Sequence, residues 1–324
     1  MKKGEESSVP KVSLGMPVYN GERFLRETLD SLLAQTYTDF ELIISDNGSS
    51  DGTESICREY TARDHRVQYY REEVNRGAGW NYNRVVDLAR GAYFKWAAHD
   101  DLCAPTYLER CVEVLDHDPE VILVYPDDID IDENGNKVDR KRHSHIPSSE
   151  RGSSPDPAQR FRRLVLLDYD CEQVFGLIRL DVLRRTKLIL NYTDSDRTLL
   201  GELGLYGAFY ELPEALFYHR HHGGSSGRAH PIKGGWHLRA GWFDPHLEGR
   251  ALFPQWRQLT EYVKAIVHAP IGLIVKARCL FWLAVGFRLR IGSMAGELIA
   301  GMRRTFFSIG KRGEDRTRSA EAHG

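Results

Sequence analysis

Between residues 11 and 126, short apolar runs alternate with segments of helical period, and few architectures accommodate that order. "FELIIS" shows no apolar/polar alternation, which suits a strand covered on both faces in a parallel sheet. Ahead of it, "GERFLRETLDSLLAQ" places Phe24, Leu25, Thr28, Leu29, Leu32 and Leu33 on one helical face. "KVSLGMPVYN", "VQYYR", "AYFKWAA" and "VILVYP" read as further strands, while "ESICREYTARD", "NYNRVVDLAR" and "PTYLERCVEVLD" read as helices. The order predicts an α/β fold: a Rossmann-like, mostly parallel sheet with helices on both faces and ligands beyond the carboxyl ends of its strands. Asp46 and Asp100 stand at two such ends.

Past residue 126 the pattern breaks into a polar stretch, Asp127 to Pro157, containing the basic cluster "RKRHSH" and read as a surface or acceptor-site loop. "CEQVFGLIRLDVL" resumes a strand and helix, and "SDRTLLGELGLYG" a helix entered through Ser195 or Asp196. A net charge of -2 argues against a general nucleic-acid binder, which needs a basic excess to neutralise phosphates. The charge is uneven, with 11 Lys and Arg against 4 Asp and Glu from Tyr262 onward. Five cysteines without a C-x-x-C pair suggest neither a zinc site nor a disulfide framework, so reduced thiols are the expectation. Residues 1–10 form a polar leader without the apolar core of a signal peptide.

At the end of "AYFKWAAHDD" an apolar strand runs into two carboxylates, Asp100 and Asp101. Two readings stay open for the pair alone: a divalent cation bridging two phosphates, or a cap on the helix that follows.

The long segment "VSLGMPVYNGERFLRETLDSLLAQTYTDFELIISDNGSSDGT" resembles the opening of family 2 glycosyltransferases, which have the GT-A fold. The resemblance continues through "NRGAGWNYNRVVDLARGAYFKWAAHDD" and resumes at "TDSDRTLLGELGLYGAFYELPEALFYHRHHGGSS", covering about residues 11 to 226. It implies an inverting enzyme that takes a sugar from a nucleotide diphosphate donor, UDP- or dTDP-linked, with Mg²⁺ or Mn²⁺ as cofactor. By that resemblance Pro17, Tyr19 and Glu22 belong to the loop around the nucleoside, and Asp46 accepts a hydrogen bond from the base. Arg76 and Gly77 match the loop over the nucleotide. Asp100 matches the metal-touching carboxylate, although Ala98 stands where an acidic residue is common, which leaves His99 as a substitute polar contact. Asp196 matches the general base, with Ser195 in place of the usual Glu, and an ordinary helix cap is the competing role. His222 matches the histidine that helps close over the diphosphate and its metal, in a cluster with His219, Arg220 and His221.

Residues 227–310 read as a helical C-terminal region. "APIGLIVKARCLFWLAVGFRLRIG" is apolar, but Lys276 and Arg278 interrupt it before the roughly 20 residues a spanning helix needs. Phe281, Trp282 and Phe287 with Arg288 and Arg290 fit an interfacial helix on an anionic membrane, and a helix packed on the catalytic domain fits as well. Residues 311–324 read as a disordered tail. These features outline a cytoplasmic, peripherally membrane-associated enzyme of cell-surface glycan or glycolipid assembly. The rivals are a scaffold protein that has lost catalysis, motivated by Ala98, and a nucleotidylyltransferase. The latter needs a Gly-rich basic loop that "GMPVYNGERF" lacks.

Overall fold

The computed structural model describes residues 9–139, 154–167, 169, 171–224, 241–247 and 253–299. The polar leader up to residue 8, the basic cluster and the 311–324 tail lie outside the described residues.

The first half follows the expected alternation: β1 (Val12–Val18), α1 (Glu22–Leu33), β2 (Phe40–Asp46), α2 (Thr53–Arg63), β3 (Val67–Arg71), α3 (Ala78–Leu88) and β4 (Tyr93–Trp96). β3, β2, β1 and β4 lie side by side and all parallel. Every residue of β1 and β2 is buried, as non-alternating apolar strands should be when both faces are covered. Leu25, Leu29 and Leu32 of α1 pack on one face with Ile56 and Cys57 of α2, and Val85 and Val86 of α3 pack on the other. Full burial of a leucine contributes about 1.5–3 kcal/mol, so the apolar stripe of α1 fixes its orientation.

The second half departs from the expectation. After β5 (Leu102–Cys103) and α4 (Tyr107–His117), β6 runs over Val121–Ile131, five residues beyond the apolar "VILVYP" into the stretch read as loop. Its partner is β8 (Ala208–Arg220), a strand that the sequence pattern does not announce. Pro213 would break a regular ladder because it has no N–H, and the β6–β8 register shifts where it sits, with Pro126 opposite Leu212 and Asp127 opposite Ala215. β7 (Leu177–Arg179) inserts antiparallel between β4 and β6, giving the order β3-β2-β1-β4-β7-β6-β8-β5. α5 (Pro157–Leu166), α6 (Leu180–Leu183) and α7 (Ser195–Leu203) complete the layers.

C-terminal helices α8 (Pro254–His268) and α9 (Leu273–Leu289) form a third cluster with α5, through Phe161, Val165, Tyr262, Ile266, Cys279, Leu283 and Phe287. Among the described residues, no helix is long and apolar enough to cross a membrane. Phe287, read from the sequence as an interfacial residue, packs inward, and Trp282 is half-buried beneath the Arg162 guanidinium.

Candidate active site

The ends of β1, β2 and β4 and the loops that follow them converge on one edge of the sheet. The β1–α1 and β2–α2 loops are laced together: Asn20 N–H donates to Ser49 Oγ, Ser50 N–H to Asn20 Oδ1, and Gly21 N–H to Thr53 Oγ1. Asn20 takes a left-handed φ of 52°, a conformation its short polar side chain tolerates. Glu22 closes the lacing by accepting the Gly52 N–H at 2.9 Å. Pro17 lies within β1 opposite Ser45, and Tyr19 leaves the strand with 46% of its surface exposed, an aromatic face open to a ligand.

Asp46 is fully buried. Its carboxylate accepts the Ser49 N–H at 2.9 Å and the Tyr69 hydroxyl at 2.7 Å, with the exposed Arg71 placing its Nε 3.5 Å away. The structure therefore gives Asp46 a role in holding the β2–α2 turn, and adds Arg71 as a charged neighbour outside the quoted motifs.

Asn47, also absent from the sequence-based set, pins the loop before α3: its amide donates to Asn75 Oδ1 and Gly77 O, and its carbonyl accepts the Arg76 N–H. Gly77 sits at φ 91°, and a Cβ there would stand 2.3 Å from Phe243 O, so both conformation and space exclude other residues. Arg76 lies over the Trp80 ring, 4.1 Å from its centroid.

At the end of β4, the His99 ring packs against Gly21 of the β1–α1 loop. Asp100 and Asp101 take different partners, and neither caps α4, whose N-cap is Thr106. Asp101 is structural, its Oδ1 accepting the Arg220 N–H at 2.8 Å, and burial pushes its pKa up to about 6. Asp100 Oδ2 meets His222 Nε2 at 2.8 Å. Burial opposes ionisation of Asp100, but the His222 hydrogen bond and the neighbouring histidines outweigh it and hold its pKa below the ordinary value. Arg220, grouped in the sequence with anion contacts, turns inward: it is 1% exposed, donates to Asp100 O and pairs with Glu27 at 2.7 Å. His221 is engaged by Asp130.

Whether this corner fits a divalent cation is decided by its donors. The Asp100 carboxylate and His222 imidazole converge, yet the described residues contain no group of three or more His, Cys, Asp or Glu placed to hold a metal. Two protein donors suit Mg²⁺ or Mn²⁺ only when phosphate oxygens and water complete the shell, which is the usual manner of such ions at nucleotide sites.

Asp196 lies in the first turn of α7, but the N-cap is Asp194, in a left-handed conformation at φ 66° and making no side-chain cap bond. The Asp196 Oδ1 accepts the adjacent Arg197 N–H, at 2.7 Å, so the residue satisfies one donor of the first turn without being the N-cap. Burial, then the charge of Asp194, raise its pKa to about 6, which suits a base working near neutrality. It lines a cavity of 240 Å³ with Asp194, Glu172, Tyr82, His219 and Trp242. Tyr82, which lines the same cavity, feels the charges of Asp100, Asp101 and Asp196 together. Glu202, the next acid along α7, is buried away from this cavity and accepts the Lys187 N–H at 3.1 Å. Asp194→Asn removes the like charge and keeps a residue tolerant of positive φ. The acid limb of the kcat/KM profile should move to lower pH, measured by rates across about pH 4.5–8.

Residues 13–186, more than half of the chain, match the model of glycosyl transferase family 2. An uncharacterized glycosyltransferase of Rickettsia typhi is 39% identical over 117 residues, covering 36% of this chain and 36% of its own. Chondroitin synthase of Escherichia coli is 34% identical over 168 residues, 52% of this chain and 24% of that one. The matched stretch thus spans about a third or less of these relatives. Among solved structures, S. aureus TarS 1-349 superposes with a TM-score of 0.61 at 16% identity, covering 85% of this chain and 70% of that one. Asp196 and His222 lie beyond the family match. The chain belongs to glycosyl transferase family 2, and its sheet and flanking helices have the GT-A fold of its structural neighbours.

Proposed function

We propose that this transferase is inverting and metal-assisted, moving a sugar from a UDP- or dTDP-linked donor to a hydroxyl of a glycan or glycolipid at the cytoplasmic face of a membrane. The observation that carries the reading is Asp196, a carboxylate of raised pKa on the wall of a cavity shared with Tyr82, which also feels the charge of Asp100, the partner of His222. S. aureus TarS, similar in fold, has been solved with UDP and with UDP-GlcNAc, which supports the donor class.

In this reading the base packs on Tyr19, with Pro17 and Glu22 shaping the loop around it. Asp46, buried and held by Tyr69 and Ser49, would reach the base edge only by exchanging one of those partners, and Arg76 and Gly77 would cover the nucleotide. Asp100 and His222 would hold the cation, with His99 beside the ribose. When bound, the cation supplies positive charge to the diphosphate leaving group. Asp196 takes the acceptor proton as the acceptor oxygen bonds to C1, and the C1–O bond to phosphate breaks with its electron pair leaving on the diphosphate. A single displacement inverts C1. The Ala98 departure motivates a catalytically silent scaffold, but the tuned carboxylate in an open cavity supports catalysis. The test is release of nucleoside diphosphate from a panel of nucleotide sugars by the purified chain.

A further inference from the structure

Away from the catalytic edge, α9 is apolar nearly all round. Its seventeen residues hold no Asp or Glu and carry Lys276, Arg278 and Arg288. Cys279, Leu283, Gly286 and Phe287 form its packed side. The opposite side faces out: Leu273 is 84% exposed, Ile274 79% and Phe281 60%, with Ala277, Ala284 and Arg288 also exposed. Leu289, the last residue of α9, and Ile291, just past it, are 81% and 68% exposed and add apolar surface at the helix end. Large apolar side chains so exposed on successive turns exceed the scatter of single residues on an ordinary surface. A helix apolar on all sides is normally covered.

Charge selects the occupant. Every charged residue of α9 is cationic; Arg278 is paired with Asp156 and Lys276 donates to Val267 O, which leaves Arg288 as the exposed cation of the outward side, and Glu297 of the following helical segment is buried, accepting the Gln255 N–H. A second copy related by a two-fold axis would bring Arg288 of each chain toward the same interface, like charge against like. An anionic bilayer matches both features, with apolar side chains entering the acyl boundary and cations left among headgroups. We infer that the Leu273–Ile274–Phe281–Arg288 face of α9 docks on an anionic membrane surface.

The docked helix is also tied to the catalytic one. Arg290 donates to Gln258 Oε1 of α8, Gln258 Nε2 reaches Asp194 O and Thr198 Oγ1, and Tyr262 Oη donates to Arg197 O. The turn bearing Asp196 therefore takes a set orientation relative to the lipid. This purpose, presenting the base to a membrane-borne acceptor, rests on the proposed transferase reading, whereas the docking itself does not.

The test is co-sedimentation of the full chain with phosphatidylcholine vesicles, with and without phosphatidylglycerol, alongside light scattering and donor turnover. Wild type should bind the anionic vesicles about ten-fold or more tightly than the neutral ones, and less at high salt. Ile274→Glu/Phe281→Glu should lose about ten-fold or more in binding with an unchanged melting curve and unchanged donor turnover. Should that variant fail to fold, Arg288→Glu serves, with a drop in low-salt binding expected. Equal binding to both vesicle types, unchanged binding by the variants, or a wild-type dimer that the variants disperse would each overturn the docking. Vesicle binding that persists in a chain unable to turn over any donor would uphold the docking and count against the transferase reading.

Discussion

Asp196→Asn is expected to lower sugar transfer by about 10²- to 10⁴-fold, the usual contribution of a positioned base, while nucleotide affinity stays within about two-fold. Asparagine keeps an oxygen for the Arg197 N–H and loses only the ability to take a proton. The variant should also be at least as stable as wild type near pH 7. A carboxyl whose folded pKa is raised to about 6 favours the folded state less once it ionises there. Its contribution to stability therefore falls as pH rises from about 4 to about 6, by an amount on the order of 1–3 kcal/mol. The substitution would remove that slope. Rates and thermal melts at about pH 4.5 and 7.5 on one preparation read both effects. A near-wild-type rate would place the base elsewhere, with Glu172 and Asp194 on the same cavity wall as the next acids to change.

The second large effect is on metal-coupled binding. Asp100→Ala removes one of the two side chains that would hold the cation and leaves His222 without its 2.8 Å partner. Calorimetry with UDP should show affinity that rises with Mn²⁺ in wild type, whereas the variant binds at the wild type's chelated level, with turnover below detection. Equal UDP affinity with and without metal in both proteins would remove the cation from the mechanism. Asp101→Ala should behave differently. It strips the acceptor from the Arg220 N–H and so acts first on stability, because that backbone donor is buried.

The first half of the fold was legible because its strands are apolar throughout and its helices show a clear 3.6-residue stripe, as in Phe24, Leu25, Thr28 and Leu29. β8 was not, because Pro213 and its bulges interrupt the two-residue period, and its burial pattern is irregular as a result. β6 likewise continues through Asp127, Asp128 and Asp130, whose composition reads as loop. For the site, residues inside quoted motifs could be named in advance. Glu172 and Trp242 could not, and Tyr82 was passed over although it lies in a quoted motif, since α3, the 3₁₀ turn at Glu172–Phe175 and the 241–247 segment meet only in three dimensions. Arg220 shows the opposite failure. Its place in a histidine run suggested anion contact, yet the fold uses it as an internal strut between α1 and the Asp100 turn. The membrane reading shifted too: Phe287 packs inward, and Leu273 and Ile274 face out instead.

Turnover of a nucleotide sugar at the edge between Tyr19, Asp100 and Asp196 is the claim on which the rest depends. The most direct measurement is release of nucleoside diphosphate by the purified chain from a panel of UDP-, dTDP- and GDP-sugars, with Mn²⁺ and with chelator. Slow, metal-dependent release from a UDP- or dTDP-sugar is expected, abolished in Asp196→Asn. A folded protein that binds and cleaves none of the panel, or whose release is untouched by that substitution, would contradict it.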